Sequence, residues 1–132
     1  MLMKISRFED LEIWQDAREL CKRVFEITSK EPFCNDYRFR DQIRASSGSI
    51  MDNISEGFER GGNKEFINFL SIAKGSCGET RSQSYRSYDF NYIDEDTLNE
   101  LIDRTSTLSK KIASFIGYLK KSTYKGSKFH CV

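Results

Sequence analysis

Proline is almost absent from this chain: Pro32 is the single one among 132 residues, and there are only 8 glycines. That composition excludes a turn-rich β fold and a low-complexity chain. Histidine is just as scarce, since His130 near the end is the only one. Without an internal histidine there is no Glu-x-x-His pair, so the usual di-iron bundle site is excluded and Cys-His or Ser-His nucleophiles are disfavoured. No stretch approaches the ~20 apolar residues of a membrane span, so no membrane partner is expected. Met1 to Arg7 lacks the apolar run of a secretory signal, which makes the cytoplasm the expected compartment. A large charge excess is also missing: 21 basic against 20 acidic residues leaves +1. Surfaces selected as a whole for phosphate binding are usually far more basic. The four cysteines, Cys21, Cys34, Cys77 and Cys131, form no C-x-x-C pair. The first three are expected to be reduced core residues and Cys131 incidental. No G-x-x-x-x-G-K-[ST] loop is present, because Gly75-Ser76-Cys77-Gly78 sits inside a helical period. No catalytic residue, metal site or cofactor is expected.

What the chain does have is helical period. Four segments repeat apolar residues in steps of 3 and 4, and none alternates with period two, so the chain reads as all-α. The first runs from about Asp10 to Lys30 with Ile13, Trp14, Ala17, Cys21, Val24 and Ile27 on one face. Its start is open between Ser6, in an S-x-x-E capping box with Glu9, and Asp10 itself. Pro32 marks its end, because it cannot continue the hydrogen-bond ladder and disfavours a helical Glu31. The second segment follows Asn35 or Asp36, both good N-caps, and reaches the neighbourhood of Arg60 before Gly61-Gly62. Asn63 is expected to cap the third, with Phe66, Phe69, Leu70, Ala73, Cys77, Thr80, Ser84 and Tyr88 buried and an end near Asn91. Asp94, Glu95 and Asp96 suit the positive start of the fourth, which carries Leu98, Leu101, Thr105, Leu108, Ile112, Phe115 and Leu119 almost to Tyr124. These segments predict an antiparallel up-down-up-down four-helix bundle over residues 1–125, one domain, with residues 126–132 as a tail.

The stretch Gln42 to Gly57 departs from ordinary helix composition. Its stripe of Phe39, Ile43, Ser46/Ser47, Ile50, Ile54 and Phe58 has five small residues, Ala45 to Ser49, at its middle. Gly48 alone costs about 1 kcal/mol relative to Ala in a helix interior, so something should approach that face closely. The Ala73 to Gly78 face of the third helix, also rich in small residues, is the expected partner. Asn53, Glu56, Ser76 and Glu79 are then expected to hydrogen-bond to helix backbones and to each other, fixing register. The competing reading makes Glu56 and Glu79 an acid/base pair.

At this point the residues resemble a known family. Gln42, Ile43, Arg44, Ser49, Ile50, Asn53, Ile54, Glu56 and Gly57 follow a Q-I-R-x-A…S-I-x-x-N-I-x-E-G signature. It is similar to that of the four-helix-bundle proteins encoded in intervening sequences of bacterial 23S ribosomal RNA genes. Phe66, Phe69, Leu70, Ile72, Ala73, Gly75, Ser76 and Glu79 resemble the family's F-x-x-F-L-x-I-A-x-G-S-x-x-E run, and Phe8-Glu9-Asp10-Leu11 with Trp14-Gln15 its opening. Met51 stands where the family often has Pro or a small residue, and Ser84 and Tyr88 where it has Leu. The resemblance implies a bundle that tends to assemble as a homopentameric ring, with no established enzymatic activity. The similar accessory variability protein of diversity-generating retroelements binds nucleic acid and a reverse transcriptase, which implies RNA or DNA and a nucleic-acid-processing protein as candidate partners.

Charge placement and aromatic content bear on those implications. Tyr92 to Ser109 holds five acids and one base, whereas Lys110 to Val132 holds six lysines and no acid. This polarity complements the helix dipole, which is a sufficient structural reason for it. A ring would also repeat Lys110, Lys111, Lys120, Lys121, Lys125 and Lys128 around its axis and multiply a modest patch. Arg38, Arg40 and Arg44 add a second cluster. Such side chains contact phosphates without reading bases, so sequence-independent binding is the expectation. Phe25, Phe33, Tyr37, Tyr85, Tyr92, Tyr118 and Tyr124 fall outside or at the edges of the helical stripes, a surplus that favours self-association. A small-molecule-binding or protein-interaction bundle is the alternative.

Overall fold

Asp36 sets where the second helix begins: its Oδ1 accepts the Phe39 N–H at 3.2 Å, satisfying one of the orphan donors of a helix start. The computed structural model describes residues 5–122, which form α1 (Glu12–Thr28), α2 (Tyr37–Glu59), α3 (Asn63–Asp89) and α4 (Glu95–Lys121). Residues 126–132 of the expected tail lie outside the described residues, as do Tyr124 and Cys131. Each helix packs antiparallel on its neighbour in sequence and α1 closes against α4, while no Cα pair across the diagonals approaches within 8 Å. The all-α up-down-up-down bundle is therefore the observed fold.

Two expected boundaries shift. Neither Ser6 nor Asp10 starts α1; residues Phe8–Asp10 make a single 3₁₀ turn, extended Leu11 precedes the helix without a side-chain cap, and Gln15 Nε2 ties back to Glu9 O at 2.9 Å. Gly62, not Asn63, precedes α3, and the Asn63 amide instead donates to Leu119 O at 3.3 Å, joining the start of α3 to the end of α4. At the other end of α3, Asn91 adopts the left-handed conformation (φ 63°), Tyr92 N–H reaches Ser87 O and Asn91 N–H reaches Tyr88 O, both at 2.9 Å. That double closure stops a helix and reverses the chain. Gly61 (φ +93°) does the same work between α2 and α3 at a conformation few other residues accept.

The core is chemically uneven along the bundle. Where α1 and α3 begin and α2 and α4 end, it is apolar: Ile13, Ala17, Ile54, Phe58, Phe66, Leu70, Ile112 and Leu119 are all buried. Phe66 meets Phe58 and Phe115 edge to face, at 6.0 and 5.6 Å between centroids. Each such side chain stabilises the fold by about 1.5–3 kcal/mol. Towards the opposite end Thr28, Ser46, Ser47, Ser76, Thr80, Gln83, Ser84, Ser87 and Thr105 are buried as well, among Val24, Ile27, Phe39, Ile43 and Leu101. Most of these hydroxyls donate to the carbonyl one turn earlier, as Thr80 does to Ser76, Ser84 to Thr80 and Ser87 to Gln83. Among the described residues no buried side-chain nitrogen or oxygen is left without a partner, so this polar core carries no desolvation penalty of the kind that unpaired groups incur. Phe33, Phe39 and Tyr92 cap it, with ring centroids 4.9 to 6.3 Å apart. Phe33 is thus a core residue, not an edge one, whereas Tyr88 is exposed and Ser76, Gln83 and Ser87 take burial expected of bulkier positions.

Candidate nucleic-acid interface

The signature residues gather on the seam between α2 and α3. Ile43, Ile50 and Ile54 are buried in the core, while half-buried Ser49 faces α3. Ser76 Oγ donates to Ser49 Oγ at 2.9 Å, and Asn53 Nδ2 holds Ser49 through its carbonyl (2.8 Å) and hydroxyl (3.0 Å). One turn further on, Ser46 Oγ donates to Gln83 Oε1 at 2.6 Å and lies 2.9 Å from Thr80 Oγ1. The packing seam expected between these faces is present, but its closest approach is elsewhere. A Cβ on Gly57 would sit 2.6 Å from Phe69 Cβ and 2.9 Å from Phe66 Cδ1, whereas one on Gly48 or Gly75 would meet nothing within 4 Å. Gly48 therefore faces outward.

Glu56 and Glu79 do not form a pair. Glu79 belongs to the level of Ser46 and Gln83, and Glu56 to the level of Phe69, so about ten residues of rise, roughly 15 Å, separate them. Both are exposed: Glu56 bonds Arg60 at 3.1 Å, and Glu79 accepts from Gln83 Nε2 at 3.5 Å. With Gln42, Ala45, Ser46, Ser49, Gln83 and Arg86, Glu79 lines a shallow groove of about 320 Å³. No group of His, Cys, Asp or Glu able to hold a metal occurs among the described residues.

The basic candidates separate into two places. Arg38, Arg40 and Arg44 lie at the end where α2 begins, tied to the α3–α4 turn by Tyr92 and Asp36. Lys110, Lys111, Lys120 and Lys121 lie on the half of α4 that runs beside the starts of α1 and α3. Their chemistry differs as well. Arg44 is stitched to the end of α1, donating to Thr28 Oγ1 at 2.8 Å and Ser29 Oγ at 3.2 Å with its guanidinium 4.4 Å from the Phe25 ring centroid. Arg40 bonds Asp41 (3.0 Å) and Cys34 O (3.4 Å) and lies over Tyr37 at 5.0 Å, while Arg38 is exposed. Lys111 is held by Glu12 and Asp16, both at 2.8 Å, and its ammonium pKa is raised by those bonds, that to Asp16 first. It is a tie between α4 and α1 and not a free cation. Lys110, Lys120 and Lys121 are exposed and have no acidic partner among the described residues. Lys125 and Lys128 lie outside the described residues.

Two acids of the first half of α4 are engaged in structure. Asp94 caps the helix by accepting Thr97 N–H at 2.8 Å, and Thr97, through its side chain first and its N–H second, holds the Asp94 carboxyl below the ordinary range. Glu100 is bridged by Arg23 (2.9 Å) and Arg104 (3.0 Å), with its carboxyl also lowered, chiefly by Arg23. Both halves of the helix thus keep free charge: Glu95, Asp96 and Asp103 are exposed without an ion pair among the described residues, as Lys110, Lys120 and Lys121 are towards the other end. Two further features escaped sequence reasoning. Ile72, Tyr88 and Phe90 are exposed alongside Phe25, Tyr37, Tyr85 and Tyr118. A cavity of about 470 Å³ opens between the start of α1 and α4, lined by Ile5, Leu11, Ile13, Lys110 and Phe115 among others. Cys21, Cys34 and Cys77 are free thiols, as the sequence predicts, with Cys77 buried and the other two half-buried, and burial pushes Cys77 up to about 12.

Comparison with known proteins places this architecture. No curated protein matches the chain. A crystal structure of a protein of unknown function from the S23 ribosomal protein family of Bacteroides thetaiotaomicron VPI-5482 superposes with a TM-score of 0.72 at 22% identity, covering 79% of this chain and 97% of that one. At that identity the likeness speaks to the fold, which the two share. The sequence model of the 23S rRNA-intervening sequence proteins matches residues 9–114, a span that takes in α1, α2, α3 and most of α4. The α2–α3 seam, with Ser49, Asn53, Gly57 and Ser76 holding two helices in register, is the structural form of the signature, and the chain belongs to the 23S rRNA-intervening sequence protein family.

Proposed function

We propose that this chain is a non-catalytic helical scaffold that assembles with copies of itself into a ring, five subunits being the number the family resemblance implies. In this reading it works in the cytoplasm, alone or beside a nucleic-acid-processing protein, and holds RNA or DNA through phosphate contacts without reading sequence. The supporting observation is the unbalanced half of α4, where Lys110, Lys120 and Lys121 are exposed without acidic partners among the described residues. Ammonium groups on flexible stems bind phosphates as point charges, and a ring repeats them around one axis. Labelled single- and double-stranded RNA and DNA titrated at about 50 and 200 mM salt test the binding, which should weaken steeply with salt. Absence of salt-dependent binding below about 10 μM, the range of ordinary non-specific association, would overturn it. Light scattering on a sizing column tests the ring, and a clean 15.4 kDa species would defeat it.

One observation favours a second reading, a small-molecule-binding bundle. The 470 Å³ cavity beside Lys110 falls in the ~300–1,000 Å³ range of ligand sites and is walled by Leu11, Ile13 and Phe115. A thermal-shift panel of aliphatic carboxylates separates the two: stabilisation by such ligands with no nucleic-acid binding would select this reading.

A further inference from the structure

The outer face shared by α1 and α2 carries three arginine-on-aromatic pairs: Arg18 over Trp14 at 5.8 Å, Arg44 over Phe25 at 4.4 Å and Arg40 over Tyr37 at 5.0 Å. They follow one another along the bundle. Phe25 lies three turns beyond Trp14 on α1, about 16 Å at 1.5 Å per residue, and Tyr37 lies two turns before Arg44 on α2. Two of the rings are unusually open, Phe25 at 59% and Tyr37 at 66% exposure. Their arginines are oriented from behind, Arg44 by Thr28 and Ser29, Arg40 by the Cys34 carbonyl and Asp41. Only part of each guanidinium's five donors is used by those bonds, so N–H groups remain for an incoming anion. Arg18 has no acidic partner among the described residues. Of the acids near this face, Asp41 is bonded to Arg40, and Asp52 lies close to Cys21.

Exposed rings interleaved with oriented guanidinium groups suit a polymer that presents flat π-faces and anions in alternation. Unpaired nucleotides do so, whereas a duplex hides its base faces and offers phosphates alone. We propose that this α1–α2 face binds single-stranded nucleic acid, with bases stacked on Phe25 and Tyr37 and phosphates taken by Arg18, Arg40 and Arg44. The inference rests on the nucleic-acid reading above and gives it a strand preference and a location distinct from the lysines of α4.

The test compares one labelled oligonucleotide, single-stranded and annealed to its complement, by fluorescence anisotropy at about 50 mM salt. The proteins are the native chain, Phe25→Ala/Tyr37→Ala, Phe25→Leu/Tyr37→Leu and Lys120→Ala/Lys121→Ala, with circular dichroism to verify helicity. The Leu pair keeps apolar bulk and removes the π-face. Single strands should bind the native chain at least about 10-fold tighter than duplex, and both aromatic variants should lose about 10- to 100-fold on single strands with little change on duplex. Trp14, the sole tryptophan, should change its fluorescence with single strands only. Equal affinity for the two forms, or binding indifferent to both aromatic variants, overturns this proposal while leaving phosphate binding through the lysines intact. Loss of binding for all nucleic acids at low salt overturns both readings. If the aromatic variants change the mass seen by light scattering and not the affinity, the rings serve a contact between copies and the proposal fails.

Discussion

Tyr92 Oη donates to Asp36 Oδ2 at 2.8 Å, so the residue that caps α2 also anchors the turn between α3 and α4. One carboxylate thereby joins the two hairpins of the bundle. Asp36→Ala should cost about 1 kcal/mol through the lost cap alone, and Asp36→Asn much less, since Asn is as good an N-cap. Urea unfolding at neutral pH checks this.

The same pair makes alkaline stability depend on Tyr92. Its hydrogen bond to Asp36, with partial burial, raises the phenol pKa above its ordinary value of 10.0. A raised folded-state pKa means the neutral phenol is favoured in the native state. The contribution is therefore complete below about pH 10 and disappears as pH climbs through the folded value. Tyr92→Phe should flatten that alkaline limb in a stability–pH profile; an unchanged limb would show that another group causes it.

Two glycines of α2 should respond in opposite directions. Gly57→Ala must push Phe69 and Phe66 away from 2.6 and 2.9 Å contacts, one of them with a Cβ that cannot move without its helix, and should destabilise by about 1–3 kcal/mol. Gly48→Ala meets nothing and should stabilise by up to ~1 kcal/mol through helix propensity. Denaturation midpoints of the two variants give the comparison directly.

Ser46 and Gln83 form a buried link whose partners fail unequally. Ser46→Ala leaves the Gln83 carbonyl without its 2.6 Å donor, at a cost of about 1–3 kcal/mol. A double-mutant cycle of Ser46→Ala with Gln83→Leu should show the pair far less than additive, because removing both leaves no orphaned group.

Thiol chemistry separates the cysteines by depth. Cys77, buried and pushed up to about 12, should resist alkylation in the native state and react only on unfolding. In a Cys131→Ser background, mass spectrometry after iodoacetamide should find Cys34 modified before Cys21, whose thiol is raised by burial and donates to Ser47 O at 3.2 Å.

The four helices were legible because burial leaves a 3.6-residue trace, and Leu98 to Leu119 on α4 or Ile43 to Phe58 on α2 keep it without interruption. Chain ends of helices were less legible where tertiary contacts chose among capable residues. Asn63 had the chemistry of a cap, yet its amide serves α4. The polar core was read only in part, since Thr80 and Ser84 sat on the stripe but Gln83 and Ser87 lay one step off it, Ser87 being accommodated by its hydroxyl bond to Gln83 O and the Gln83 side chain by the bond it accepts from Ser46. For the candidate site, charge counting found the lysines and arginines but not which of them are occupied: Lys111 is paired with Glu12 and Asp16, residues about a hundred positions away. Nor did spacing reveal that Phe25 would meet Arg44, because that contact exists only once α1 and α2 are side by side.

A core that is apolar throughout but admits bonded hydroxyls towards one end responds unevenly to temperature. Aliphatic burial loses strength on cooling, whereas hydrogen-bonded contacts draw on enthalpy and do not. On cooling, the end built of Ile54, Phe66 and Ile112 therefore has more cohesion to lose than the end where Ser84, Ser87 and Thr105 are buried among apolar neighbours.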